Sequence, residues 1–475
     1  MQDFIRQSAI HWPRHAQPRR PVLRPFLAAS LALLLNAGPA MAAETTAASY
    51  DPPAIFSVFG TLGMTHASAD GGAFIRDITQ FHGADNKGLH WEQDTKLGAQ
   101  ANIAWTENLE GVVQVLSRYR QTNEFQPEVT WAFLKYIAND HVEARAGRVG
   151  YDIYPGADTR NVGFSYLWVR PSIEYFGTLL YPYLDGGDFT LKTEAGRGQV
   201  RFKAYGGLTR TKVSALQSQR DWAGGISLPP ANLVQDMEGA RIKGGFVEYQ
   251  DRYWTFRLGG SQTSLNKEFP SGGFSIDGLA QGEINQANAS NNPALASTLA
   301  TFREGMRLTG KKATFKAANL VYEDGPFQFH ASLGQMTSDA LLVPNYKSGY
   351  LLTGYRFGKL TPYASVSAIR TRISDLPDVM ARQGASVLLS SMAKFSISSP
   401  TLTQTTFSLG ARYDISPNWA VKVQVDHLRN KNCSPVSLPM TSANEACAPP
   451  LLWPVVPVDW NRRATLYTAV LDFYF

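Results

Sequence analysis

Tyr467-Thr468-Ala469-Val470-Leu471-Asp472-Phe473-Tyr474-Phe475 closes the chain, and its apolar residues recur at every second position. Successive side chains of a β-strand point to opposite faces. Phe473, Leu471, Ala469 and Tyr467 therefore share one side, and the intervening residues, Asp472 and Thr468 among them, share the other. One face is dry and one is mixed. Two settings fit such a strand: a half-buried strand of a soluble sandwich, or the last member of a sheet that closes on itself in lipid, where every backbone group must be paired.

The spacing of the other strands separates the two settings. Period-two alternation bounded by turn residues marks sixteen candidate strands. They lie near residues 55–66, 95–107, 111–120, 127–137, 140–149, 187–195, 198–208, 239–250, 252–264, 310–323, 326–337, 347–358, 360–372, 403–414, 417–429 and 464–475. Every second connection is a tight turn, such as Asn108-Leu109-Glu110, Ala138-Asn139, Gly196-Arg197 and Asp324-Gly325, built from residues that turns favour. The alternate gaps are mostly long: 67–94, 121–126, 150–186, 209–238, 265–309, 338–346, 373–402 and 430–463. An even number of strands with short turns on one side and long loops on the other predicts an all-β fold, a closed antiparallel transmembrane β-barrel with periplasmic turns and extracellular loops. A soluble sandwich has no need of that asymmetry.

The stripes agree. Leu97, Ala99, Ala101, Ile103 and Trp105 alternate with Lys96, Gly98, Gln100 and Asn102; Trp419, Val421, Val423 and Val425 alternate with Lys422, Gln424 and Asp426. At sixteen strands a barrel holds a hydrated lumen, which accounts for the polar face. Trp105, Trp131, Tyr136, Trp254 and Trp419, near strand ends, suit aromatic girdles at the membrane interfaces. Short helical pieces are expected around 294–303 and 379–389.

The N-terminal region reads as an export signal. Arg14, Arg19, Arg20 and Arg24 precede the apolar run Phe26 to Leu35 and then Ala40-Met41-Ala42-Ala43. Cleavage is expected between Ala42 and Ala43, leaving 43–475 as the barrel. The run falls short of the about 20 residues a spanning helix needs. The whole chain of 475 residues has 45 Lys and Arg against 39 Asp and Glu, a formal charge of +6. Loss of residues 1–42 takes away five arginines and one aspartate, leaving 40 against 38, or +2. Basicity then gives little support to nucleic-acid binding. No later apolar stretch is long enough for a helical inner-membrane protein. Cys433 and Cys447, the two cysteines of an exported chain, are expected to bridge and pin a surface loop.

The organisation resembles the trimeric general porins of Gram-negative bacteria. Locally the resemblance is best at Pro127 to Tyr136 and at Ala144-Arg145-Ala146-Gly147-Arg148, which look like the porin hairpin leading into an inward-folded third loop. The resemblance implies an outer-membrane location, contact with outer-membrane lipid, a homotrimer, and constriction of the pore by the loop at about 150–186. A terminal aromatic resembles the assembly signal of outer-membrane barrels, so Tyr467, Leu471, Phe473 and Phe475 are expected to be read by the barrel-assembly machinery.

Strand phase places Arg145, Lys192, Lys203, Lys243 and Arg257 inward near mid-depth, with Arg118, Arg120 and Arg201 nearby. Facing them, the third loop offers Asp152, Asp158, Glu174 and Asp185. Basic wall and acidic loop would set up a transverse field with a modest preference for anions; the same residues also suit a solvated wall with no selective role. Small hydrophilic solutes and ions are the expected cargo. A channel specific for small carboxylates or sugars is the main alternative, and an adhesin barrel is a third. A catalytic barrel needs a nucleophile or activated water held by His and a carboxylate, yet His330 and His427 have no Ser-containing partner motif. No phosphate-binding loop, dinucleotide fingerprint, zinc spacing or calcium loop occurs, so neither cofactor nor metal is expected.

Overall fold

The computed structural model describes residues 54–68, 74–76, 79–80, 83–120, 122–177, 181–217, 220–222, 226–228, 231–268, 276–398, 403–430 and 463–475, with the backbone alone at 158, 212–236, 395 and 398. The leader with Ala42 and Ala43, and the pair Cys433 and Cys447, lie outside the described residues.

Among the described residues there are twenty strands: β1 Ala54–Ala67, β2 Lys96–Thr106, β3 Leu109–Tyr119, β4 Phe125–Asn139, β5 Val142–Gly150, β6 Tyr183–Ala195, β7 Gly198–Leu208, β8 Lys212–Gln217, β9 Arg220–Trp222, β10 Ile226–Leu228, β11 Ala231–Asp236, β12 Arg241–Gln250, β13 Trp254–Ser264, β14 Lys312–Asp324, β15 Phe327–Ser338, β16 Asn345–Tyr355, β17 Leu360–Arg372, β18 Gln404–Ser416, β19 Trp419–Asn430 and β20 Arg463–Tyr474. Sixteen of them form one closed antiparallel barrel in the order β1 to β7, then β12 to β20. The other four pair off as β8 with β11 and β9 with β10, an excursion of the connection after β7. All sixteen barrel strands fall where alternation predicts them, within a few residues at each end.

The seam between β1 and β20 is ladder-bonded, with Gly60 opposite Phe473 and Leu62 opposite Leu471. Val58 and Phe475 exchange two backbone bonds of 2.7 Å each. Gly60 matters because Phe473 lies over it: a Cβ there would sit 2.4 Å from the Phe473 ring. Phe473 is thereby sunk into the wall beside Trp419, whose ring centroid is 5.2 Å away, while the terminal Phe475 stays exposed.

Lipid-side residues are apolar and exposed, including Leu258, Leu333, Leu409 and Val423, while their strand neighbours Arg257, Ser332, Ser408 and Lys422 are buried in the bore. Trp105, Tyr136, Trp254 and Trp419 cluster at the tight-turn end. Trp131 does not join them: it sits opposite Gln114 on the inner face and packs on the buried apolar cluster.

Helices occupy the long connections. One helical turn, α1 Ile173–Phe176, belongs to the connection after β5. The connection after β13 carries α2 Ile276–Ala289 and α3 Pro293–Met306, and the one after β17 carries α4 Leu376–Arg382 and α5 Val387–Ser398. Asn292 caps α3 by accepting from the Leu295 amide at 3.2 Å, with Pro293 just inside. Leu299, Phe302, Met380 and Leu389 bury one shared core among these four helices. The expected piece at 379–389 is in fact the junction of two helices, and α2 was not foreseen.

Candidate functional site

The connection between β5 and β6 runs into the bore and makes polar contacts with inward residues of most of the wall. It reads Tyr151-Asp152-Ile153-Tyr154 at its start and Trp168-Val169-Arg170-Pro171 further on. Ile153, Tyr154, Val169, Ile173 and Tyr175 are buried, so the loop carries an apolar packing surface as well as charges. Those apolar groups meet inner-face residues that are themselves apolar, including Phe133, Leu184, Ile242 and Phe315.

Polar latches fix the loop at three places. Asp152 accepts from Lys203 Nζ of β7 at 2.8 Å and from Arg257 Nη1 of β13 at 2.7 Å. Burial opposes ionisation of Asp152, but the Lys203 and Arg257 charges prevail and hold its carboxyl well below the usual range. Glu174 of α1 is completely buried and accepts from Ser367 of β17 at 2.6 Å, from Gln404 of β18 at 2.6 Å, and from Thr406 of β18. Arg170 reaches Asp94 at 2.6 Å, Asp426 of β19 at 3.0 Å and Thr468 of β20 at 2.7 Å. Burial would push the Asp94 carboxyl up, yet the Arg170 charge and hydrogen bonds bring it below its ordinary value.

Backbone carbonyls of the loop are satisfied from the wall as well. Lys422 of β19, with no exposed surface, donates to the Gly163 carbonyl at 2.7 Å and the Trp168 carbonyl at 3.2 Å, and pairs with Asp472 of β20 at 2.8 Å. Arg412 of β18 donates to the carbonyls of Phe164 and Tyr166. Gly163 is required here because a Cβ would come within 2.3 Å of both Asp472 and Thr61 side-chain oxygens. A buried loop needs such partners, since unpaired backbone groups are costly away from water.

The loop divides the space around it. Between Arg170, Glu174 and strands β16 to β19 lies a crevice of about 30 Å³ lined by Ser367, Thr406, Ser408 and Asp426. Between the loop and β1 to β3 lies a larger chamber of about 120 Å³ lined by Arg76, Asp94, Lys96, Arg118, Arg160 and Arg170. Basic side chains outnumber acids there.

The basic residues singled out from the sequence separate into three groups. Arg145 pairs with Asp188 at 2.6 Å, Lys192 with Glu143 at 2.7 Å, Arg201 and Arg257 each with Glu248 at 2.6 Å, Lys203 with Asp152, and Arg120 with Glu128. These are ion pairs rather than an open basic ladder. Arg118 lines the chamber. Lys243 is a correction: it stands opposite Gln262 and Gly206, on the face of exposed Val247, while its neighbours Ile242 and Glu248 are buried inward. Alternation misleads here because Ile242 turns an apolar side chain into the bore against the loop, and Phe246 does so beneath Arg257.

The acids also differ from expectation. Glu174 faces away from the basic wall, into β17 and β18. Asp185 belongs to β6, not to the loop, and binds Arg148 at 2.6 Å and Arg210 at 2.8 Å. Asp158 lies in the short turn Ala157–Thr159, its side chain outside the described residues. Arg76 and Asp94 were missed; no strand periodicity covers them. Lys96 was placed on the wet face of β2, and its place in the chamber became evident only from the fold. Among the described residues no group of His, Cys, Asp and Glu is arranged to hold a metal ion.

No protein-family model and no curated relative matches the chain. It is similar to the trimer form of OmpT, an outer membrane protein of Vibrio cholerae, at a TM-score of 0.47 and 11% identity, over 89% of this chain and 99% of that one. It is also similar to an anion-selective porin from Comamonas acidovorans, at 0.44 and 11%, over 89% and 100%. The outer membrane channel DcaP of Acinetobacter baumannii matches at 0.46 and 9%, over 89% and 97%. Sixteen strands closed on themselves, tight turns at one end and a third long connection bonded to the inner wall give this chain a closed antiparallel barrel.

Proposed function

We propose that the chain is an outer-membrane channel through which small hydrophilic solutes and ions diffuse passively, with a preference for anions. The observation that carries this reading is the pairing of an apolar outer face with a polar bore in which a chamber is lined by Arg76, Lys96, Arg118 and Arg160. A hydrated path through lipid needs the first feature, and local cationic potential raises the concentration of anions at the narrow point. The ion-paired residues on β5 to β7, β12 and β13 serve as a fixed framework in this reading, and the chamber supplies the selectivity.

Export by the leader, cleavage after Ala42, insertion guided by the terminal Phe475, a Cys433–Cys447 bridge and a homotrimer complete the proposal. They rest on the sequence and on its resemblance to general porins. No catalytic role is part of this reading; His330 lies 3.7 Å from Glu323.

Planar-bilayer recording of the refolded protein tests the reading. Discrete conductance steps, with a reversal potential displaced toward the chloride equilibrium value under a salt gradient, are expected. A protein that inserts and yields no steps overturns the channel, and a reversal potential on the cation side overturns the preference.

A further inference from the structure

We propose that the outer face of β14 to β17, at the end from which the long connections leave, is a docking surface for one lipid whose headgroup carries more than one phosphate. The inference goes beyond the channel reading and does not depend on conduction, because it concerns the outside of the wall.

The register sets three cations and one amide side by side. Lys316 of β14 stands opposite Gln335 of β15, Gln335 opposite Lys347 of β16, and Lys347 opposite Arg370 of β17. All four are exposed, while Phe315, Tyr346 and Ile369 beside them are buried. The row therefore points away from the bore. With strands about 4.8 Å apart it is about 14 Å long. Arg372, two residues further along β17 and opposite Asn345, adds a fourth cation.

The protein supplies these charges with no counter-charge. Lys347 and Arg370 are directly opposed across the ladder, and like charges in that relation destabilise a sheet. Among the described residues none of Lys316, Lys347, Arg370 and Arg372 makes an ion pair. No Asp or Glu stands on the outer face of β14 to β17 in this half of the wall, and exposed Asp339, just past β15, is bonded to none of the four. Elsewhere an outward cation has its partner: Arg148 of β5 faces Asp185 of β6, on the side of exposed Phe189, and binds it at 2.6 Å. Charge complementarity on β14 to β17 calls for an anion from outside the chain.

The surface below the row makes that anion a lipid. Two residues nearer the tight turns, the outer face carries Ala318, Leu333, Gly349 and Ala368, and the row after that Leu320, Ala331, Leu351 and Val366. Neither row has a polar side chain. Gly349 leaves a recess directly below Lys347, with exposed Leu333 opposite it. Acyl chains lie along these rows while the headgroup phosphates meet the cations, Arg370 in the paired geometry that guanidinium offers a phosphate and the lysines as point charges. A free anion would use the charges and leave the apolar rows unmatched.

Native mass spectrometry of the full chain folded in detergent counts the lipids retained on the barrel. The probes are diphosphoryl lipid A, monophosphoryl lipid A, dioleoylphosphatidylglycerol and inorganic phosphate. One diphosphoryl lipid A per chain is expected, bound at least tenfold tighter than either other lipid, with no phosphate retained. Lys347→Gln and Arg370→Gln should each weaken that binding about fivefold, equivalent to about 1 kcal/mol. Arg252→Gln, in the tight turn between β12 and β13, should leave it unchanged. Heat-modifiable migration on gels confirms that each variant is folded. No retained diphosphoryl lipid A, equal retention of phosphatidylglycerol, phosphate held as firmly as the lipid, or binding that both β16 and β17 variants keep would each overturn the surface. A barrel that binds the lipid and fails to conduct overturns the channel reading alone.

Discussion

The two sides of the inward loop differ in how their charges are matched. Toward β17 to β20 and toward β7 and β13, the wall meets the loop with paired groups: Glu174 against Ser367, Gln404 and Thr406, Lys422 against Gly163, Trp168 and Asp472, Asp152 against Lys203 and Arg257. Toward β1 to β3, cations gather with Asp94 as the acid that lines the chamber with them. The first arrangement holds the loop in place. The second gathers cations around a chamber, and Arg170, joined to Asp94 on one side and Asp426 on the other, is the hinge between the two.

Removing that hinge should do the most damage. Arg170→Ala strands two buried carboxylates, and breaking a buried pair from one side costs about 3–5 kcal/mol. Urea unfolding of the barrel should register that loss, and conductance should rise as the loop loosens. Unchanged stability would mean that Asp94 and Asp426 are solvated in the native state. Glu174→Gln tests the opposite wall: it preserves shape and removes the charge that three donors serve, so a smaller loss, about 1–3 kcal/mol, is expected. A loss equal to that of Arg170→Ala would erase the distinction between charge matching and neutral latching.

Acid titration sharpens the third latch. Because the folded Asp152 carboxyl is held below its unfolded value of about 3.9, its pairing contributes stability in full above that value, and the contribution is lost as the pH falls toward the folded value. The gap in stability between the protein and Asp152→Asn should stay constant from neutral pH to about pH 5 and close in more acid solution. A gap that closes already near pH 7 would contradict the pairing. Least of all should change in Lys243→Gln, whose side chain lies on the outer face: a shift within about 0.5 kcal/mol, read by the same unfolding assay.

Legibility followed local periodicity. On β19, Val421, Val423 and Val425 alternate with Lys422, Gln424 and Asp426, and the structure puts the two sets on opposite sides of the wall. The rule that polar residues face inward failed where the loop packs. Ile242 and Trp131 turn into the bore because apolar loop residues await them there, and Phe246 does so beneath the Arg257 guanidinium, 3.9 Å from its ring centre, which reverses the phase assigned to Lys243 and removes Trp131 from the girdle. The helix Ile276–Ala289 escaped notice because its buried residues are alanines, and an alanine stripe gives little amphipathic contrast.

Sequence by itself determined the closed sheet: the number of strands, their sidedness, the tight turns and the aromatic terminus are all consequences of two-residue alternation and turn chemistry, which act over a few neighbouring positions. Tertiary structure decided which charges meet. Asp94, Arg170 and Asp426, or Lys96, Arg118 and Arg160, come from different strands and a loop, and their meeting depends on the path that the loop takes through the bore, a path fixed by packing and hydrogen bonds between residues far apart in the chain.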